Sequence, residues 1–374
     1  MRFIFWLSMA IVFYTYLGYP LLLVLLSKIK RKETEHELIM PHVSIIIAAY
    51  NEQRSIEQKL QTCLALDYDK EKLEIIVASD GSTDNTVQIA QQYAEKGVKV
   101  FDYQPNRGKI SILNDTVPQA RGEIVVFSDA SCMLEPDSIK NLVAHFADPG
   151  IGCVSGVYKV MNKEEAALGK SEDIYWKYET FIKVKEAEIG ALLGAHGSLY
   201  AIRKKLYPPL KPGTINDDYI IPVRIIQQGY RMGYEPNAVA YEEAQEMGGF
   251  SRRIRIMAGN YQQMLEIKGF FRPVQFVPLF GFLSHKFGRV VVPFFMVMLL
   301  ISNVFLLEFP AYRSVWYIQL AFYGTAVLGV MIRQMNIKLK ILQLPFYFCM
   351  INLAGFLGFY YAYFSRSNVV WRRR

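Results

Sequence analysis

The alternation of apolar and polar positions changes character twice along the chain. Residues 3–27 carry no charge, and three further uncharged runs, 290–307, 314–332 and 341–364, follow near the other end. Roughly 20 helical residues cross a hydrocarbon layer of about 30 Å, so each run predicts a membrane-spanning helix. Between them, from Val43, short β-rich blocks alternate with helical spacing. "VSIIIAAY" and "LEIIVASD" read as strands, and Ile56, Leu60, Cys63 and Leu64 mark a helix between them. "VKVFDY" predicts a third strand, 109–120 a helix and "EIVVFSD" a fourth strand, while Thr83 or Asp84 can cap a helix running to Tyr93. Such alternation implies a mostly parallel sheet with helices on both faces.

The flanks of the apolar runs predict an orientation. Residues 3–27 are too long for a signal-peptide core, and no small-residue cleavage site precedes Lys28. Lys28, Lys30, Arg31 and Lys32 follow at once, and basic flanks stay on the cytoplasmic side, so the central domain is expected in the cytosol. Residues 270–283 are apolar but broken by Pro273 and Pro278 and too short to span, which predicts an interfacial or re-entrant segment. The expected division is a membrane helix with a basic collar at 1–32, a cytosolic domain at 33–249, an interfacial amphipathic segment at 250–289 and membrane helices at 290–374. Three crossings after a cytosolic domain put Arg372, Arg373 and Arg374 outside, against the same charge bias. Either the last run is a re-entrant hairpin or a shallow helix, with Asn352 and Gly355 near its middle, or the bias is overridden. Three crossings are the expectation.

Composition narrows the class of partner. The 374 residues, 52% of them apolar, can bury a core without disulfide staples, and Cys63, Cys132, Cys153 and Cys349 lack metal-ligand spacing. The net charge of +8 suits basic collars against anionic headgroups. No basic stripe interleaved with aromatics is present, so nucleic acid is not an expected partner.

Candidate chemistry gathers where the strands end. Asn51 and Glu52 follow the first strand, Asp80 ends the second and Asp129 the fourth. Each alone reads as a strand-ending or capping residue. Three acids on the ligand-binding rim of a parallel sheet favour a site. No dinucleotide glycine fingerprint and no GxxxxGK[ST] loop occurs. In "NRGK", Gly108 permits close backbone approach and Lys109 opens a helix whose amino end favours anions.

"VSIIIAAYNE", "VASDGSTDNT", "NRGK", "FSDAS" and "NDDYIIPVRIIQQGYRMGYEPNAVAYEE" together resemble the family 2 glycosyltransferases of GT-A fold. More narrowly, the chain resembles their membrane-bound branch of cellulose, hyaluronan and poly-N-acetylglucosamine synthases, over about residues 43–263. The resemblance implies an α/β, Rossmann-like GT-A domain in the cytosol joined to an α-helical transmembrane region. It also assigns roles. Glu52 and Asp80 hold the nucleotide, Asp80 near the uracil edge, and Lys109 contacts base or diphosphate. Asp129 is the first acid of a D-x-D motif, which binds a divalent cation, Mg2+ or Mn2+, bridging the donor diphosphate. Ser131 stands where the second acid often is, so the ion would lean on Asp129, the diphosphate and water.

The same resemblance reaches the acceptor side. "LLGAHGSLYAIRK" matches a stretch that approaches the acceptor sugar, with Gly197 allowing close contact and His196 facing the acceptor, although a lone histidine is more often structural. Asp217 and Asp218 match an acidic pair in which Asp218 is the catalytic base and Asp217 its support; a helix cap is the plainer reading. "FSRRIRI" occupies the place of a Gln-X-X-Arg-Trp motif, so Arg253 and Arg255 would neutralise the leaving diphosphate. A basic collar on an interfacial helix rivals that reading. Arg252 and Ile256 replace the motif's glutamine and tryptophan, which bears on processivity.

The expectation is an inverting, metal-dependent membrane glycosyltransferase. It moves a sugar from a nucleotide donor, UDP-linked, to a glycan or lipid-linked acceptor at the cytosolic face. A processive polysaccharide synthase is the rival in chemistry; four spans enclose a narrow channel, so it would call for an oligomer or export partner. A scaffold that binds nucleotide sugar without turnover is the rival in class, and it would need no base such as Asp218.

Overall fold

The computed structural model describes residues 1–29, 39–161, 169–243, 249–271, 275–334 and 340–364. Strands β1 Val43–Ala49, β2 Leu73–Asp80, β3 Val98–Tyr103 and β4 Ile124–Asp129 form where the apolar blocks predict them. β5 Met133–Leu134, β6 Ile151–Met161, β7 Tyr200–Arg203 and β8 Arg231–Glu243 complete one sheet, in the order β3-β2-β1-β4-β7-β6-β8-β5. The first four strands are mutually parallel; β7 runs antiparallel to both β4 and β6. β6 pairs parallel with β8, and its register slips at Gly152 and Gly156. A Cβ there would meet Ile225 at 2.5 Å and the Ala238 carbonyl at 2.5 Å, so both bulges follow from close packing.

Every residue of β1 is buried, as both faces of a central parallel strand require. Ile46 and Ala48 face one core, with Ile110, Leu113, Ile221 and Val223; Ile45 and Ile47 face the other, with Ile56, Leu60 and Cys63. Register sets the site's rim. Ala48 stands opposite Asp129 and Ala49 opposite Ser79, so Asn51, Asp80 and Asp129 emerge at one edge.

Two local expectations are corrected. The helix expected over 109–120 ends at Thr116 and tightens into a 3-10 turn, Val117–Gln119, because Pro118 supplies no donor. The helix expected to run to Tyr93 ends at Gln91; Asn85 holds its N-cap position, and Asp84 Oδ1 accepts from Thr86 N at 3.0 Å, as expected of a capping residue.

Among the described residues, three helices are long and apolar enough to cross a membrane: Arg2–Ile29, Phe276–Val304 and Leu344–Tyr363. The first agrees with the sequence. The second joins the segment read as interfacial to the run beginning at 290, through a π turn at Phe282–Phe287, so no break occurs at residue 289. Pro278 lies in its first turn, where a missing donor is harmless. The run 314–332 lies in a helix of 25 residues, Pro310–Gln334, long enough to span but less apolar than the other three. The last run forms one continuous helix, Lys340–Tyr363, with no turn at Asn352 or Gly355, which removes the hairpin. Arg372, Arg373 and Arg374 lie outside the described residues.

The amphipathic helix Gly249–Gln263 packs along Lys340–Tyr363. A Cβ at Gly358 would lie 2.7 Å from Met257 Cβ and 2.9 Å from Ala258 N, so the two backbones approach through that glycine. Gly358→Ala is therefore expected to cost about 1–3 kcal/mol through overpacking. Gly324→Ala, with no atom within 4 Å, should not destabilise. Melting temperatures of the two variants in detergent check this, and equal values would reject the packing argument.

Candidate active site

Three elements deliver charge to one point beyond the rim. β4 ends in Asp129, the helix Lys109–Thr116 begins at Lys109, and the helix Asp217–Gln227 begins at Asp217. Gly108, at φ +88°, lets the chain enter the second of these, and Lys109 Nζ then lies 3.2 Å from Asp129 Oδ1 and 3.3 Å from Asp217 Oδ2. The buried Tyr200 hydroxyl donates to Asp217 Oδ2 at 3.2 Å. Asp218 reaches the stretch Leu192–Lys204: its carbonyl accepts from Ala195 N at 2.8 Å, and a Cβ on Gly197 would sit 3.3 Å from Asp218 Oδ2. Gly197 is thus bare because the Asp218 carboxylate occupies the space.

The carboxyls of Asp218 and Asp129 are driven apart in proton affinity. Burial, and then the like charge of Asp217, push Asp218 up to about 6, against the pull of Lys109 and Lys183. Burial also opposes ionisation of Asp129, but Lys109 and Arg252 outweigh it and hold its carboxyl below the usual range. Lys109 is raised: burial works against its charge, yet Asp129, Asp217 and Asp218 keep it protonated. One permanent anion beside one titratable near neutrality separates a charge-binding role from a proton-accepting one.

Glu52 and Asp80 hold the loops that frame this cluster. Asp80 is fully buried, and its two carboxylate oxygens accept from Arg107 N and Gly108 N, each at 2.8 Å, which pins "NRGK" to the end of β2. Gly81 makes room, since a Cβ there would lie 2.6 Å from Asn106 N. Glu52 is buried and accepts from Ser55 Oγ at 2.8 Å, while its N–H donates to Thr86 Oγ1 at 2.8 Å.

Two residues singled out by the sequence stand elsewhere. Arg253 reaches the last apolar helix: its Nη1 donates to Tyr347 Oη at 2.8 Å, and its guanidinium lies over that ring. Helical geometry explains this, because Arg252 and Arg255 are three apart and share a face that Arg253 does not. Arg252 lies within electrostatic reach of Asp129 and Glu242, and Arg255 of Asp129, Asp217 and Asp218. The pair facing the site is therefore Arg252 and Arg255. His196 is enclosed, with Nε2 3.2 Å from Tyr234 Oη and its ring edge-on to Trp176 at 5.6 Å. Burial and then Lys183 hold its protonation well below the ordinary range, so it is a neutral packing residue.

One residue escaped the sequence reading. Lys59, fully buried, donates to Ser128 Oγ at 2.6 Å and to the Cys132 carbonyl at 2.5 Å, clamping the chain on both sides of Asp129. Ser128 Oγ in turn donates to the Ser198 carbonyl at 2.7 Å, tying this loop to the acceptor-side stretch. The signal was present, since Lys59 interrupts the apolar stripe of Ile56, Leu60 and Cys63.

For a divalent cation the rim offers the Asp129 carboxylate and the half-buried Ser131 hydroxyl. Among the described residues, no group of three or more His, Cys, Asp or Glu could hold a metal alone. This donor set fits a hard cation completed by phosphate oxygens and water.

Residues 44–208 match the family described as Glycosyl transferase family 2. The chain is 32% identical over 231 residues to the poly-beta-1,6-N-acetyl-D-glucosamine synthase of Staphylococcus aureus (strain COL), covering 60% of this chain and 55% of that one. The synthase of the same name from Staphylococcus epidermidis is 27% identical over 270 residues, 70% of this chain and 63% of that one. The match thus spans little more than half the length of these relatives. A mannosyltransferase from Pyrobaculum calidifontis, solved in complex with GDP-Man and Mn2+, shares the fold over 97% of this chain and 99% of its own, with a TM-score of 0.76 and 22% identity.

Proposed function

We propose that the chain, whose residues 44–208 match Glycosyl transferase family 2, is an inverting membrane glycosyltransferase drawing on a nucleotide-sugar donor, UDP-linked. The acceptor is a glycan or a lipid-linked saccharide presented at the cytosolic membrane face. The observation that carries the reading is Asp218, a carboxyl raised to about 6 and lying against the acceptor-side glycine while Asp129 stays ionised beside Lys109. A module that only binds has no use for that separation. The three apolar helices support the membrane setting.

Asp129 and Ser131 would hold a divalent cation, Mg2+ or Mn2+, whose chemistry is neutralisation of the donor diphosphate. The protein's own groups do the rest. Asp218 accepts the proton of the acceptor hydroxyl as its oxygen bonds to the anomeric carbon. The bond from that carbon to the diphosphate oxygen breaks, and the nucleoside diphosphate leaves with the electron pair. Arg252 and Arg255 face the growing negative charge. A single displacement inverts the anomeric centre.

The named relatives favour a second reading, a processive synthase of the same chemistry. Product length separates the two. The transferase reading is tested with purified protein offered several nucleotide sugars with acceptor, reading released nucleoside diphosphate; no release from any donor would reject it. In the active assay the rate should fall on the acid side of about pH 6, where Asp218 gains a proton. Asp217→Asn removes the neighbouring charge that raises Asp218, so its acid limb should move to lower pH. An unmoved limb would show that another group controls it.

A further inference from the structure

Lys183 is a buried cation that the transfer chemistry leaves unused. It lies on the helix Gly169–Ile189, and its Nζ donates to the Gly194 and Ala195 carbonyls at 3.0 and 3.1 Å. Among the described residues no carboxylate stands within 4.0 Å of it. Burying an ammonium against neutral carbonyls is costly, and a neutral donor would satisfy them as well. Its charge is balanced by acids further off.

Glu179, Asp218 and Glu186 lie within electrostatic reach of Lys183, as does Lys286. Glu179 pairs with Arg289, and Glu186 accepts from Tyr19 Oη at 2.7 Å and lies 2.8 Å from His285 Nδ1. Lys286 Nζ lies over the Tyr219 ring, 5.4 Å from its centroid, and Tyr219 directly follows Asp218. With His285 neutral, the cations Lys183, Lys286 and Arg289 face the acids Glu179, Glu186 and Asp218. The cluster is therefore neutral when Asp218 is ionised. Burial, and then the like charge of Lys286, pull the Lys183 ammonium down to about 8, so at neutral pH it carries its charge.

The backbone joins Lys183 to the base in one step. Ala195, whose carbonyl Lys183 holds, donates its N–H to the Asp218 carbonyl at 2.8 Å, and a Cβ on Gly197 would lie 3.3 Å from Asp218 Oδ2. Asp218 is also faced by Asp217 on its own helix, by Lys109 and Asp129, by Arg255 and by Tyr200. Lys109 divides its charge between Asp129 and Asp217, at 3.2 and 3.3 Å. Lys183 has no such competing contact among the described residues.

We propose that Lys183 is a positioning residue for sugar transfer: it fixes the segment Gly194–Gly197 against Asp218 and supplies the buried positive charge that keeps the base an anion between turnovers. The inference rests on Asp218 being the base of the transferase reading. It makes the junction between the catalytic domain and the apolar helices part of the base's surroundings.

The test reads the protonation of Asp218 without turnover. Infrared spectra of the full chain in phosphatidylcholine nanodiscs are titrated with pH, and the carboxyl band absent from Asp218→Asn belongs to that residue. Its midpoint should lie near 6 in wild type. In Lys183→Met it should rise by about one pH unit, because loss of a nearby cation disfavours the anion. Lys183→Arg should stay near wild type. The methionine variant also leaves two carbonyls without a donor, so melting temperatures accompany each titration. Lys183→Gln, which keeps a donor without the charge, is read if the methionine variant does not fold. In turnover the acid limb of kcat should move with the midpoint while donor KM stays near wild type. A lower kcat with an unmoved limb would show a merely structural role. An unmoved midpoint in the folded methionine or glutamine variant overturns the proposal, and so does an equal rise in Lys183→Arg. Donor cleavage by wild type is measured separately: its absence rejects the transferase reading, whereas the midpoints judge Lys183 alone.

Discussion

Asp218→Asn is expected to lower sugar transfer by roughly 10²- to 10⁴-fold, the range for loss of a general base, while nucleotide affinity stays near wild type. The amide keeps the shape and the backbone bond from Ala195 N at 2.8 Å, but it cannot take a proton. It also leaves Lys109 its two contacts, to Asp129 at 3.2 Å and Asp217 at 3.3 Å, so the donor side should persist. Asp217→Asn should fall between wild type and Asp218→Asn, because it removes a neighbour and a Lys109 contact but not the base. Transfer rate and nucleotide affinity are measured side by side, with folding checked by melting. Near-normal transfer by Asp218→Asn would reject the assignment and bring Asp217 forward. His196 would not take its place, enclosed as it is by Trp176 and Tyr234.

The strand-end half of this site was legible because it uses a local rule. β1, β2 and β4 are continuous apolar runs, and polar residues at the ends of buried parallel strands face the ligand edge. Hence Glu52, Asp80, Asp129 and Lys109 could be placed at one edge before any coordinates. The other half depends on contacts distant in sequence. β6 and β8 pair through two register slips at Gly152 and Gly156, which break their period and hide them from pattern reading. Asp80 shows a second limit. Its position was legible, but that both its oxygens hold backbone N–H groups follows only from how β3 delivers "NRGK" back to β2. Arg253 shows a third. A motif alignment assigns residues by order, whereas a helix presents them every third or fourth position, and that geometry favours Arg252 with Arg255. The fold of the apolar helices was missed where a proline was read as a break: Pro278 lies in the first turn of a helix that continues to Val304.

Asp129→Asn should act differently from Asp218→Asn, with donor affinity and rate falling together, the rate by on the order of 10²-fold as for loss of one electrostatic stabiliser of the leaving group. Ser131 offers only a hydroxyl, so Asp129 is the carboxylate on which a shared cation depends. Cation and donor should therefore bind synergistically to wild type, each weakly alone, and lose that coupling in the variant. The second effect is on protons. Asp129 is among the charges that raise Asp218, and its removal also frees Lys109 to act on the remaining acids. Both changes favour ionised Asp218, so the residual activity should show its acid limb below the wild-type position near 6. Ser131→Asp supplies the complementary variant: a second carboxylate should tighten Mn2+ binding without donor. Calorimetry of cation and nucleotide, separately and together, with rate against pH for the three proteins, checks these outcomes. If Asp129→Asn keeps both the cation requirement and the synergy, the ion is held by other groups and the charge on Asp129 serves Lys109 alone.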